Sequence, residues 1–280
     1  MMTNYICIDV GGTTTRIATA ESSERAEITI VERFPTQAKY ELQLEALHSI
    51  LVQIGQPAGI GLSLGGQMAR DGRSVAVAPN LPDYVGQPLV ETLEQRWHCP
   101  VRLGHDTVCG LLAEKNFGAL QTSERCAYLT LSTGTGAAIF LGSPGLAISI
   151  EIGHQVLDSN PLICLCGQIG CLETCTGGRQ LEQRLGYELT RIVDHGFWEQ
   201  YCEKLAIGLV NLAHLTRVEL VAVSGSIALK NEFLLPLLQR KIDERLLNAR
   251  LTLTSALLGE NAPLIGALAL LQTPPERILH

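Results

Sequence analysis

Tyr5-Ile-Cys-Ile-Asp-Val-Gly-Gly-Thr-Thr-Thr-Arg-Ile-Ala-Thr-Ala20 is the stretch on which the fold turns. A short β-rich run, Tyr5 to Val10, stops at Gly11-Gly12 and resumes as Thr14 to Ala20, which predicts a hairpin with a glycine-threonine tip. The same pattern returns at Tyr128-Leu-Thr-Leu, Ser132-Thr-Gly-Thr-Gly, Ala137-Ala-Ile-Phe. It reads as an internal repeat, with chance likeness of two hairpins as the alternative. Between the repeats the pattern is α/β. Leu44, Leu47, Leu51 and Ile54 recur at helical spacing and Gly55 closes the run, after which Ile60, Leu62 and Leu64 alternate as a strand. Pro88 suits the first turn of a helix whose apolar face carries Leu89, Leu93 and Trp97, and Val101 to Leu103 follow as a strand. Helices are expected around Gln180 to Val193 and Glu199 to Leu215. Next come a strand at Glu219 to Val223, a last strand at Arg250 to Thr254 and a closing helix from Ala262 to Leu271. Each half therefore predicts a sheet covered by helices. The expected division is 1–117, with the helix at 262–273 returning to it, and 118–261; no low-complexity linker separates the halves.

The chain has 280 residues, 46% of them hydrophobic and only 18% charged, which excludes disorder and a solvated coiled coil. A formal net charge of -7 with no Lys/Arg run argues against a nucleic-acid partner. The start, Met1 to Asn4, carries no basic or apolar targeting signal, and no apolar run approaches the roughly 20 residues of a membrane helix. The expected location is the cytoplasm, away from membranes. Nine cysteines are present. Cys7, Cys99, Cys109, Cys126 and Cys202 sit in apolar or mixed segments and are expected to pack as small hydrophobes. Cys164, Cys166, Cys171 and Cys175 crowd together, which in a reducing compartment suggests a metal before it suggests disulfides.

The run Asp9 to Arg16 has a physical logic for phosphate. Its glycines let backbone N–H groups approach an anion, its threonines add donors, and Asp9 can hold a hydrated Mg²⁺. Thr133-Gly-Thr-Gly136 offers the same. One such tip alone is more often a plain turn; two in one chain favour a nucleotide clamp, and neither is a Walker motif or a dinucleotide fingerprint. Cys164-x-Cys166-Gly-x-x-Gly170-Cys171, preceded by His154, supplies three thiolates and one imidazole, the ligand set of a closed structural zinc site; a core cluster of free thiols is the alternative. Such a zinc leaves no open position for water and takes no chemical step, and Cys175 is left to pack.

Taken with Pro79-Asn80-Leu81, His105-Asp106, Glu151-x-Gly-His154, Glu173, Ser224-Gly225 and Gly266-Ala267, these motifs make the chain resemble the ROK family (repressors, open reading frames and kinases) over nearly its whole length. The resemblance implies an α/β, two-lobed, actin-like ATPase fold of the ribonuclease H type with an internal duplication. It implies ATP and Mg²⁺ at Asp9, Gly11, Gly12, Thr13, Thr14, Arg16, Thr133, Gly134 and Gly136, with Ser224, Gly225 and Ser226 near the adenosine. Sugar hydroxyls would meet Gly66, Asn80, His105, Asp106, Glu151, His154 and Glu173. Zn²⁺ would be held by His154, Cys164, Cys166 and Cys171. Asp106 matches the family's catalytic base, in keeping with the need of phosphoryl transfer for a carboxylate that accepts the hydroxyl proton; by position alone an Asp after a strand is usually a helix cap.

The expected activity is transfer of the ATP γ-phosphoryl group to a hexose or N-acetylhexosamine, glucose being the first candidate and the 6-hydroxyl the expected acceptor. Three features depart from the family pattern. His105 stands where most kinase members have Asn, Ala137 and Ala138 stand where Gly is frequent, and the stretch from Glu173 to Ser224 is short. The last leaves a homodimer as an open expectation. The rivals are a sugar-sensing regulator and a kinase that has lost turnover. Because the phosphate loop begins almost at Met1, no DNA-binding domain is expected ahead of it.

Overall fold

Backbone hydrogen bonds pair Asn4–Val10 (β1) antiparallel with Thr14–Ala20 (β2), Asp9 standing opposite Arg16. The hairpin expected from sequence thus opens the computed structural model, which describes residues 4–143, 145–157 and 160–279. Met1 to Thr3 of the segment inspected for a targeting signal lie outside those residues. By its internal contacts the chain divides into two units. Met1–Phe117 groups with Leu146–Ile148 and Asn261–His280, and Gly118–Gly145 groups with Ser149–Glu260.

The first unit continues with Thr29–Pro35 (β3), Tyr40–Ile54 (α1), Pro57–Leu64 (β4), the short pair Gln67–Met68 (β5) and Val75–Val77 (β6), Leu89–Trp97 (α2), Val101–His105 (β7) and Asp106–Phe117 (α3). Its sheet has the order β3-β2-β1-β4-β7, with β4 parallel to β1 and β7 parallel to β4. Alternation in β1 sends Ile6, Ile8 and Val10 to one face, where Leu47 and Leu51 of α1 and Leu89, Leu93 and Trp97 of α2 cover them. Cys7 faces the other side, against Leu264, Ala267 and Leu268 of the helix Ala262–Leu270. That helix can approach α3 closely because Gly266 lacks a side chain: a Cβ there would fall 1.8 Å from the Cys109 carbonyl oxygen. Pro88 sits at the N-cap of α2, one residue outside the first turn expected for it. Gly55 ends α1 at φ +100°, as its position predicted.

The second unit contains Arg125–Leu131 (β8), Thr135–Leu141 (β9), the latter part of Leu146–Ile150 (β10), Glu173–Thr176 (α4), Gly178–Leu185 (α5), His195–Thr216 (α6), Leu220–Ser224 (β11), Ser226–Leu229 (α7), Leu234–Asp243 (α8) and Thr252–Ser255 (β12). Its strands run β12-β11-β8-β9, with β8–β9 antiparallel and β8–β11 and β11–β12 parallel. This repeats the arrangement of β7-β4-β1-β2, so the likeness between the two hairpins extends to the strands beyond them. The helix expected over Gln180 to Val193 stops early: Gly186 adopts φ +77° as the C-cap of α5, and a 3₁₀ turn at Leu189–Arg191 follows. α6 begins ahead of Glu199, at His195, where the Asp194 carboxylate caps it by accepting from the Gly196 N–H at 2.8 Å. Trp198, Leu205 and Leu209 of α6 and Leu234, Leu238 and Ile242 of α8 are buried, each contributing about 1.5–3 kcal/mol of transfer free energy.

The chain ends with Ala262–Leu270 (α9) and Ile278–Leu279 (β13), which pairs parallel with Ala147 and Ile148 of β10. The strand expected at Arg250 to Thr254 starts two residues later and is not the last. Cys7, Cys109, Cys126 and Cys202 are buried, whereas Cys99 packs against the core of the first unit but is only half-buried. Burial pushes the thiols of Cys7 and Cys202 up to about 12, which keeps them neutral. Among the described residues no helix is long and apolar enough to cross a membrane.

Candidate active site

In the first unit the sequence motifs converge on the ends of β1, β4 and β7. Asp9, near the end of β1, is buried and accepts from Arg16 through both Nη2 at 2.7 Å and Nε at 3.1 Å, while Ser63 Oγ donates to its other oxygen at 2.9 Å. Burial pushes the Asp9 carboxyl up, and the Arg16 guanidinium and the Ser63 hydroxyl pull it back without cancelling that rise. Gly11, Gly12 and Thr13 form the tip, and Thr14 and Arg16 lie in β2. A Cβ on Gly12 would lie 3.2 Å from the Asn80 Cβ, so the Asn80 side chain sits over the tip. Gly66, at φ +145°, follows β4, and the neighbouring Gly65 approaches Asp106.

Asp106 is the first residue of α3 and keeps 42% of its side-chain surface open. Burial of the site raises its carboxyl, but the charge and hydrogen bond of His105 and the Thr107 N–H outweigh that and hold it below its ordinary value. His105 Nδ1 lies 3.0 Å from Asp106 Oδ1 and 2.7 Å from Thr107 Oγ1, and the Thr107 N–H donates to it at 3.2 Å. The imidazole that replaces the family's Asn is therefore engaged with its own neighbours in the chain.

Polar side chains missed in the sequence fix this tip. Thr36 Oγ1 donates to the Gly11 carbonyl at 2.7 Å and meets Thr15 Oγ1 at 2.9 Å, while Gln43 Nε2 donates to Thr15 Oγ1 at 2.9 Å. Gln43 had a readable signal. It is a polar residue on the face of α1 that buries Tyr40, Leu47 and Leu51, and such a position requires a buried partner.

In the second unit the tip is Ser132-Thr133-Gly134; Gly136, expected in it, lies in β9 opposite Thr130. The following helix ties the tip from outside, through Gly178 N–H to the Ser132 carbonyl at 2.8 Å and Arg179 N–H to the Thr133 carbonyl at 2.9 Å. Thr135 Oγ1 meets Thr176 Oγ1 at 2.8 Å, a second threonine pair just beyond a tip. A cavity of about 500 Å³ opens here, with Ser132, Thr133, Arg179, Glu182, Ser226 and Lys230 among its lining residues. Ser224 is buried at the end of β11, Gly225 turns the chain at φ +91°, and Ser226 starts α7.

His154, Cys164, Cys166 and Cys171 present ligand atoms all within 4.8 Å of one another. Cys166 Sγ and Cys171 Sγ are 3.7 Å apart and His154 Nδ1 is 3.8 Å from Cys164 Sγ. A tetrahedral centre with bonds of about 2.3 Å sets its sulfurs about 3.8 Å apart, so the cluster has the dimensions of a four-ligand metal site. The Gln168 backbone and neighbouring thiols pull Cys166 down to about 7, whereas burial pushes Cys171 up to about 12; a divalent cation holds such groups as thiolates. His154 Nε2 points the other way, 3.9 Å from Glu151 Oε2. Glu151 is exposed. Glu173 is half-buried and turned toward the hairpin, its Oε2 accepting from the Thr135 N–H at 2.9 Å and its Oε1 from Gln180 Nε2 at 3.1 Å. Cys175 is half-buried.

A hairpin-led sheet repeated in each unit, with a glycine-threonine tip on both hairpins, defines the two-lobed actin-like ATPase class of α/β proteins. Within that class the ROK family model matches residues 5–274, and the chain belongs to the ROK family. Its relatives include kinases and repressors. It is 25% identical to the glucokinase of Thermotoga maritima, over 95% of this chain and 96% of that protein. It is 26% identical to the xylose repressor of Caldicellulosiruptor bescii, over 76% of this chain; the match spans about 62% of the repressor's length. Among solved structures, the ROK hexokinase of Thermus thermophilus superimposes with a TM-score of 0.80 at 27% identity, covering 96% of this chain and 98% of that one.

Proposed function

We propose that this chain is an ATP-dependent sugar kinase that transfers the γ-phosphoryl group to a hydroxyl of a hexose or N-acetylhexosamine. The observation that carries the proposal is Asp106: a half-open carboxylate at the N-terminus of α3, held in its ionised form and flanked by glycine at Gly65. Such a group can accept the hydroxyl proton as the sugar oxygen attacks the γ-phosphorus and the bond to the bridging oxygen of ADP breaks. Asp9 and the tips at Gly11–Thr13 and Ser132–Gly134 are the proposed phosphate and Mg²⁺ binders, Mg²⁺ supplying charge neutralisation when bound. Arg16 would act by orienting Asp9. The cavity beside Ser226 supports adenosine binding there. Gly66, Asn80, His105, Glu151, His154 through Nε2, and Glu173 are the proposed sugar contacts, because a site built from buried or oriented hydrogen-bonding groups rejects sugars that lack the matching hydroxyl. The four-ligand cluster suits structural zinc, which would fix the loop bearing His154. Glucose is the first candidate, and the cytoplasm the proposed location.

The test is an ATP-coupled assay over glucose, mannose, N-acetylglucosamine and N-acetylmannosamine. ADP release with any one sugar supports the kinase; sugar binding by calorimetry without turnover on any of them overturns it. A second reading, a sugar-responsive regulator, is favoured by the match to the xylose repressor and predicts that second outcome.

A further inference from the structure

Gln180, which no sequence motif singled out, joins two parts of the second unit. Its Nε2 donates to Glu173 Oε1 at 3.1 Å and to Cys164 Sγ at 3.4 Å. A primary amide has two hydrogens, so both bonds can exist at once. Glu173 Oε2 then accepts from the Thr135 N–H at 2.9 Å, the first strand residue after the hairpin tip. Three hydrogen bonds thus run without a break from a sulfur of the four-ligand cluster to the backbone of the hairpin. The fit around Glu173 is tight, for a Cβ on Gly134 would come within 2.7 Å of its Oε2. Gly178 and Arg179, which bind the Ser132 and Thr133 carbonyls, directly precede Gln180.

Charge drives the connection. A metal at the cluster makes Cys164 a thiolate, a stronger acceptor for the Gln180 amide than a thiol is. With that amide anchored, its second hydrogen holds the Glu173 carboxylate in the rotamer that accepts from Thr135. Without the sulfur bond Gln180 is a long, half-buried side chain with rotamer freedom to regain, and Glu173 loses the group that orients it.

We propose that Gln180 is a positioning residue that couples the His154, Cys164, Cys166 and Cys171 cluster to the hairpin tip Ser132–Gly134, so that metal occupancy and nucleotide binding are linked. The nucleotide half of this rests on the tip's role as a phosphate site under the kinase reading. Because linkage is reciprocal, nucleotide also raises metal affinity by the same factor.

The experiment compares zinc-loaded and zinc-stripped wild-type protein with the same two forms of Gln180→Met, which keeps length and loses the donors. Circular dichroism verifies folding of each. Hydrogen exchange at the Thr135 amide, AMPPNP affinity by calorimetry and zinc transfer to a chelating dye are measured. Stripping zinc from the wild type is expected to speed Thr135 exchange and weaken AMPPNP binding about tenfold. Loaded Gln180→Met is expected to show both changes already, to gain little more on stripping, and to hold zinc about ten to a hundred times more weakly in competition with the dye. Unchanged Thr135 exchange on zinc removal overturns the proposal, as does a zinc effect of equal size in Gln180→Met. Failure of AMPPNP to bind any form removes the nucleotide reading, while Thr135 exchange still decides the coupling. If Gln180→Met does not fold, the wild-type pair decides it; if stripping unfolds the wild type, the zinc-loaded pair does.

Discussion

Asp106 combines two properties that a general base for an alcohol needs, access and an ionised carboxylate. Its open surface gives the first, and the His105 and Thr107 contacts give the second. Asp106→Asn is expected to keep the native melting curve and lose roughly 10²- to 10⁴-fold in kcat, measured by the coupled assay with the sugar that turns over; near-native turnover would remove Asp106 from the role. The pH dependence follows from the direction of its shift. A carboxyl held below the ordinary value of about 3.9 stays ionised as pH falls from 7 to 5, so Asp106 produces no loss of kcat/KM in that interval. An apparent pKa near 6 for the essential base, persisting in His105→Asn, would contradict the assignment. Asp9 is shifted the opposite way. Its folded-state value lies above its unfolded one, so the stability it contributes is complete at acid pH and lost as pH rises through the folded value. Once pH is high enough to ionise Asp9 the fold carries a buried carboxylate at the expense of stability, and the Arg16 and Ser63 bonds limit that expense.

At the scale of elements, each hairpin is positioned by the segment that packs behind it. Thr36 and Gln43 hold the first tip, and α4 and α5 hold the second. Gly134→Ala would drive a methyl group against Glu173 Oε2, so either the carboxylate leaves the Thr135 N–H or the tip moves. Loss of one charged hydrogen bond is worth about 1.5–3 kcal/mol. The melting temperature is therefore expected to fall by several degrees, and AMPPNP affinity to fall with it as the tip shifts; native melting together with native affinity in titration calorimetry would show that Glu173 does not hold the hairpin. The hairpins themselves were legible in the sequence because alternation and a Gly/Thr break are local signals. The end of α5 at Gly186 was not read correctly, since apolar residues continue past it to Val193 and the interruption depends on a single glycine adopting φ +77°.

For the whole molecule, the topological match of β7-β4-β1-β2 with β12-β11-β8-β9 shows that the internal repeat extends beyond the loops. The four-ligand cluster adds side-chain closure to the loop from His154 to Cys171, whose ends are also joined by backbone bonds from the Leu157 N–H to the Gly170 carbonyl and from the Leu172 N–H to the Gln155 carbonyl, both at 2.8 Å. Purified protein is expected to hold about one zinc per chain. Its removal by a chelator is expected to lower the melting temperature, with zinc add-back restoring it, since a ligand bound only to the folded state stabilises that state. A metal-free preparation with the same melting temperature would reduce the cluster to a set of free thiols.

The sequence by itself determined the α/β class, the two hairpins, the cysteine-histidine ligand set and Asp106 as the residue to examine, because each rests on spacing along a continuous stretch or on a motif shared with a family. Only the tertiary structure decided what those groups touch. Nothing in the linear order of residues indicates that Ser63 donates to Asp9, that Thr36 braces the first tip, that the buried partner Gln43 requires is Thr15, that His105 turns to its neighbouring carboxylate, or that Glu173 and Gln180 bridge the cluster and the second hairpin. The polar partners in those contacts come from different strands, turns and helices. A hydrogen bond depends on distances of a few ångströms that only packing sets.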